Sequence, residues 1–245
     1  MSSSNAGPSD TTASADCAPQ LVLEVIQLLE RRRVVSCITG HYALIHYGVA
    51  VANPTWEIAV PENQFQNARG ILFNDGYNQC PPTPLGTVSP LLLHLNPKYN
   101  LRGSNVTFLL IPSTDRRIFP RVGQFSSDSN GLQYPQQRQF IQSLLDTQQY
   151  TDLGKVADAQ DLNMGWGYLK LRFGQLPQHL VSWIKLKNER MIAEYGEVLG
   201  AACALDTEPH AMLAWGQAIK WRALRTDKVV PGDEPNSDAE EVYNS

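Results

Sequence analysis

Cysteine is scarce in this chain. Cys17, Cys37, Cys80 and Cys203 stand far apart, and no two form a C-x-x-C pair. That spacing excludes a disulfide scaffold or a zinc ribbon and fits reduced thiols in the cytosol, so a cytoplasmic location is expected. Each thiol reads as a small buried hydrophobe before it reads as a nucleophile. The sequence also lacks any run of about 18 apolar residues, the length that spans a bilayer. Positive charge is not in excess: the formal net charge is -4, which argues against a dedicated nucleic-acid binder. There is no G-x-S-x-G elbow, no P-loop and no dinucleotide glycine fingerprint, so the hydrolases, NTPases and dehydrogenases built on them are set aside. Histidine is thinly spread. His46 lies five residues after His41, off-face for a helical metal pair, and His94, His179 and His210 are isolated. No metal and no cofactor is expected from these spacings.

What is present is ordinary globular material. The 245 residues are 42% hydrophobic and 18% charged, enough for one large domain or two small ones without disulfides. Residues 1–18 are rich in Ser and Thr, without a basic or an apolar stretch, and are expected to be a disordered leader. Residues 227–245 are acidic and carry Pro231, Gly232 and Pro235, the composition of a second disordered tail.

Between them the pattern predicts an α/β half, residues 19–128, followed by a helical half, residues 129–226, packed on it. Leu21 to Arg32 has apolar residues at helical spacing, with Arg31, Arg32 and Arg33 at its C-terminal end. Val34 to Ile38 reads as a buried strand, Thr39-Gly40 as a turn, and His41 to Tyr47 as a short helix stopped by Gly48. Thr55 to Val60 reads as a second strand ended by Pro61, and Glu62 to Asn74 as a helix ended by Asp75-Gly76. Val88 to Leu95 is an apolar run and a candidate edge strand, Pro90 notwithstanding. Asn100 to Ser104 reads as a hairpin loop before a strand at Val106 to Ile111. Pro112 to Tyr134 shows little periodicity. Helices are expected around Phe140 to Leu145, from Leu180 to Leu199 with Leu180, Ile184, Leu186, Met191, Ile192, Tyr195 and Leu199 on the apolar face, and from Met212 to Leu224. Met164-Gly-Trp-Gly-Tyr168 reads as a packed turn or a pocket wall. Lys185, Lys187, Arg190, Lys220, Arg222 and Arg225 read as a solvated face.

The order strand, Gly40, short helix ending Tyr47-Gly48, then the strand Thr55-Trp-Glu-Ile-Ala-Val-Pro61 resembles the opening of nucleotidyltransferase-like proteins, in particular small fungal-type members. The resemblance covers residues 20 to 61, with a looser match over 106 to 111. It implies an α/β fold with a small mixed sheet and flanking helices. It also implies a helix N-terminus that cradles phosphates and carboxylates on alternate strand positions that hold Mg²⁺. The chain departs from that pattern where the chemistry sits. Thr55 takes the place of the first acid, Glu57 that of the second, with Trp56 between. Asn105 and Thr107 stand where a third acid belongs, and His41 follows Gly40 where a small residue belongs. One carboxylate holds a metal pair poorly.

The resemblance with lost acids therefore implies a repurposed fold that binds an uncharged small organic molecule. Its activity would be a metal-independent cyclase or isomerase step in fungal secondary metabolism. Glu57, His41 and Thr55 are the candidate catalytic residues and Gly40, Tyr42, Trp56 and Thr107 the candidate binding residues. Glu57 is equally compatible with a surface acid, His41 with a helix-end role, and Trp56, Tyr42 and Tyr47 with core. Two alternatives stay open: a divergent Mg²⁺-dependent nucleotidyltransferase using Glu57 and an acid such as Asp115, and a non-enzymatic interaction module presenting the face of the 180–199 helix.

Overall fold

The computed structural model describes residues 18–81, 89–121 and 123–225, with side chains as far as residue 220. Residues 1–17 of the expected leader, the acidic tail, Val88, and the side chains of Arg222 and Arg225 lie outside the described residues, while Ala18, given to the leader, opens the first helix. No helix among the described residues is long and apolar enough to cross a membrane.

The first helix, α1 (Ala18–Arg31), buries Val22, Val25, Ile26 and Leu29 in the stripe that its spacing predicts. A four-stranded sheet follows, in the order β1-β2-β4-β3. It comprises β1 (Cys37–Thr39), β2 (Trp56–Val60), β3 (Lys98–Asn100) and β4 (Thr107–Pro112). β2 and β4 run parallel, with Trp56 opposite Phe108 and Glu57 opposite Leu109. β1 pairs antiparallel with β2, with Thr39 opposite Glu57, and β3 pairs antiparallel with β4. The parallel pair requires a crossover, supplied in part by α3 (Phe65–Asn74). The short α2 (His41–His46) joins β1 to β2. Every residue of β2 is buried, so this strand is the centre of the α/β half.

The second half is helical: α4 (Gln137–Asp146), α5 (Tyr150–Ala159), α6 (Met164–Lys170), α7 (Gln178–Ala202) and α8 (Ala211–Arg225). A single buried cluster runs from Val22 of α1 through Phe108 of β4 to Trp215 of α8. A mixed sheet with flanking helices and a helical second half is thus what the chain adopts.

Several local expectations are corrected. Val88 to Leu95 forms no strand within its described part. Pro90 lacks a donor, Leu92 takes a left-handed backbone (φ 54) and Leu93–Leu95 winds into a 3₁₀ turn. The edge strand is instead β3, a few residues later. β1 begins at Cys37 rather than Val34. The aperiodic stretch 112–134 holds a hairpin of β5 (Phe125–Ser127) and β6 (Gln133–Pro135), whose turn is tied by the Asp128 carboxylate accepting from the N–H groups of Asn130 and Leu132, each at 2.9 Å. Residues 164–168 form α6 rather than a bare turn. Gly167 is essential there, because a Cβ would lie 2.1 Å from the Trp215 indole nitrogen.

On α7 the buried stripe is Leu180, Ile184, Lys187 and Met191. Leu186, Ile192 and Leu199 are exposed instead, and Lys187 is 4% exposed rather than solvated. Spacings of four, three and four residues place the lysine on the apolar face, where only a buried acid makes it tolerable.

Candidate functional site

The site predicted from the sequence gathers at the junction of β1, α2 and β2. The chain turns at Gly40 with φ 61 and ψ −133, a conformation open to glycine and closed to L side chains. The turn brings the Gly40 backbone directly against the Glu57 carboxyl group. A Cβ at position 40 would sit 2.4 Å from the Glu57 carboxyl carbon. Glycine is therefore required by the neighbouring acid as well as by the turn.

Glu57 is buried, and both its oxygens are occupied. Arg116 Nε donates to one at 2.9 Å and Arg116 Nη2 to the other at 2.6 Å, a bidentate fork. The third arm of the guanidinium, Nη1, donates to Gln149 Oε1 at 2.5 Å. Gln149 in turn donates to Thr147 Oγ1 at 2.7 Å. Arg116 lies in a 3₁₀ turn, Ser113–Arg116, that leaves the end of β4. The parallel β2–β4 pairing carries this turn to Glu57.

The preceding residue repeats the device. Asp115 accepts from Lys187 Nζ at 2.6 Å on one oxygen and from Asn96 Nδ2 at 2.9 Å on the other. Lys187 also donates to the Leu91 carbonyl at 3.0 Å. Two successive residues, Asp115 and Arg116, thus close two buried ion pairs of opposite polarity. The first ties the sheet to α7 and the second ties β4 to β2.

The other predicted residues lie on or next to α2, β2 and β4, with the following contacts. His41 Nδ1 accepts from the Thr55 N–H at 3.2 Å, which fixes the ring as a clasp between α2 and the start of β2. Tyr42 stacks on Trp56 with centroids 3.3 Å apart. Thr107 pairs with Asn100 at the start of β4. Among the described residues, Ser36 Oγ, Thr39 Oγ1 and Trp56 Nε1 are buried polar atoms around β1 and β2 without a hydrogen-bond partner. His46 is also accounted for: it bonds to Ser126 Oγ at 2.9 Å and stacks on Tyr134 at 4.1 Å. Burial pushes its pKa down and the Cys37 thiol far up, so Cys37 is no nucleophile.

These residues do not fit the Mg²⁺ that the resemblance implies. Mg²⁺ needs free carboxylate oxygens. Glu57, the one acid of β2, has both on a guanidinium, β4 supplies none, and Asp115 is engaged by Lys187 and Asn96. Among the described residues no three His, Cys, Asp or Glu groups are placed to hold a metal ion.

Two open spaces are formed by described residues in other parts of the fold. A groove of ≈ 1430 Å³ in the helical half is lined by Met164, Tyr168, Phe173, Leu176, Val181 and Ile219, among others. A smaller cavity of ≈ 260 Å³ lies between α1 and α3, beside Leu28 and Ile71. Neither is lined by Glu57 or by the other predicted site residues. The pocket-wall reading of Met164 and Tyr168 is the one the groove matches.

No protein-family model matches the sequence, and no curated protein matches it. Solved structures resemble it weakly. The antibiotic-resistance factor ANT(2'')-Ia is 12% identical over 77% of this chain and 92% of that one, with a TM-score of 0.34. The same protein in complex with adenylyl-2''-tobramycin gives 12% identity, 76% and 96% coverage and a TM-score of 0.35. JHP933 from Helicobacter pylori gives 13% identity, 85% and 92% coverage and a TM-score of 0.36. Likenesses of this degree carry no function across.

Proposed function

We propose that this chain is a repurposed nucleotidyltransferase-like protein that binds an uncharged small organic molecule without a metal ion. One observation carries the reading: the single acid at the position that the family resemblance assigns to metal chemistry is neutralised, oxygen by oxygen, by Arg116. A buried fork of this kind occupies both Glu57 oxygens, so neither is free for a metal ion. Its role is to hold β2, β4 and the Gly40 turn in register.

Around it, the unpartnered Thr39 hydroxyl and Trp56 indole N–H offer polar contacts to a neutral acceptor such as a carbonyl. A cyclisation or isomerisation in natural-product biosynthesis would need shape and a few donors of this kind, and His41, Thr55, Tyr42, Gly40 and Thr107 are the neighbouring residues proposed to take part. The groove of the helical half, walled by Met, Tyr and Phe side chains, is the other place that suits an apolar body.

The test is a ligand screen by native mass spectrometry with excess EDTA, using neutral terpenoid and polyketide lactones. Binding that survives EDTA supports the proposal, and binding only after Mg²⁺ is restored refutes it. Trp56→Phe and Met164→Arg then separate the two places, since each variant affects one alone.

A second reading, an interaction module, has its own support. Leu186, Ile192, Val198 and Leu199 of α7 are exposed, Val198 at 89%. Concentration-dependent self-association relieved by Val198→Glu would favour it.

A further inference from the structure

Arg117 is the one residue of the Asp115–Arg117 run whose charge is not answered. It is 7% exposed, yet among the described residues it makes no ion pair and no side-chain hydrogen bond, and its Nε is sealed in the protein without a partner. Its backbone is left-handed (φ 52). The guanidinium lies between two rings, 5.2 Å from the Phe119 centroid and 5.9 Å from the Trp183 centroid. The Trp183 indole nitrogen is itself buried and without a partner. Two buried donors without a partner, one of them cationic, therefore lie beside each other next to the same rings.

The neighbouring charges leave this spot positive. Asp146 is the nearby acid, but it is bridged to Arg172 at 3.6 Å and accepts from Gln142 at 2.8 Å. Lys187, 5.9 Å from the Trp183 ring centroid, is spent on Asp115. His179 adds a further titratable group near Asp146. An uncompensated guanidinium in a buried site is costly, and burial already weakens its hold on its proton. The structure offers no structural return for that cost beyond ring contacts, whereas an oxyanion would satisfy both donors.

We propose that Arg117 and Trp183 form a binding point for an oxyanion: the carboxylate of a small organic acid, or a phosphate group. The guanidinium fork matches either in a bidentate way, the Trp183 N–H supplies a further donor, and Phe119, 43% exposed, forms the outer wall. The aromatic walls favour an oxyanion attached to a flat or apolar body over a bare inorganic ion. This site is independent of the neutral-ligand reading above, because it shares none of the residues proposed there.

The experiment titrates the full chain with benzoate in one arm and inorganic phosphate in the other. It follows tryptophan fluorescence, with the Trp183 share taken as the part lost in Trp183→Phe, and the Arg117 Nε–H NMR signal, assigned by its loss in Arg117→Lys. Saturable binding with a Kd of about 1 mM or tighter in either arm is expected. It should be weakened roughly tenfold or more by Arg117→Gln and several-fold by Trp183→Phe, which removes the indole N–H together with the pyrrole half of the ring. Benzoate alone identifies an organic carboxylate, and phosphate alone a phosphate-bearing molecule. No saturation in either arm, or binding that Trp183→Phe and Arg117→Lys leave unchanged, overturns the proposal. Should Arg117→Gln fail to fold, the wild-type NMR shift and Trp183→Phe still decide it.

Discussion

Arg116 grips Glu57 with two nitrogens, at 2.9 and 2.6 Å, across 59 residues of sequence. The pair is buried on both sides, so its energetic signature is asymmetric. Removing one partner strands a charge, while removing both leaves a shape that apolar residues fill. Arg116→Ala is expected to cost about 3–5 kcal/mol, read from urea unfolding midpoints. Glu57→Leu combined with Arg116→Met is expected to recover most or all of that loss. A double variant as unstable as the single one would show that the pair does more than neutralise itself.

Gly40 answers to the same acid. Gly40→Ala places a methyl group inside the Glu57 carboxyl and forces a backbone that L residues reject. The backbone alone costs of order 1–3 kcal/mol, and displacement of the Glu57–Arg116 pair adds to it. In the Glu57→Gly background the carboxyl is gone, and Gly40→Ala should then cost only the backbone part. Thermal unfolding of the four proteins closes this cycle.

Lys187 tests the second buried pair. Lys187→Met leaves Asp115 buried with only Asn96 for company and is expected to destabilise the chain by about 3–5 kcal/mol. Lys185→Met, two residues away and exposed, should change stability by less than about 0.5 kcal/mol. Similar losses from both variants would contradict the placement of Lys187 on the buried stripe.

His46 sets a pH dependence. Burial lowers its folded pKa below the ordinary 6.5, so below that pH the unfolded chain binds the proton more readily than the folded chain. Stability is therefore whole above about pH 6.5 and declines as pH falls from there toward the folded value. Asp146 works oppositely: burial raises its pKa, so its ionisation costs stability at neutral pH and the cost fades under acid. His46→Gln should flatten the decline between pH 7 and 5 in equilibrium unfolding, and an unchanged slope would remove His46 from the account.

Much of the scaffold was legible because it rests on local pattern. Val25, Ile26 and Leu29 repeat at helical spacing, and the run from Trp56 to Val60 closed by Pro61 has strand character without any partner in view. The Gly40 turn and the short helix after it were equally plain. What the sequence hid was pairing over distance. Arg116 stands in an aperiodic stretch, and nothing near it names Glu57 as its partner.

Lys187 did leave a trace. A lysine at the fourth-and-third spacing of Leu180, Ile184 and Met191 belongs to the apolar face, and it asks for a buried acid. The expected strand at 88–95 failed for a different reason, since a run of leucines carries burial without direction, and Pro90 with the left-handed Leu92 bends it into a turn. The β5–β6 hairpin was missed because its strands are three residues each, too short for alternation to show.

The most direct test of the central claim is calorimetric titration of the folded protein with ATP, with and without Mg²⁺, repeated on Glu57→Gln. No Mg²⁺-dependent heat of binding is expected in either protein, because Arg116 already occupies the carboxylate. Saturable Mg²⁺-dependent nucleotide binding that Glu57→Gln abolishes would contradict it and return the chain to nucleotidyl-transfer chemistry.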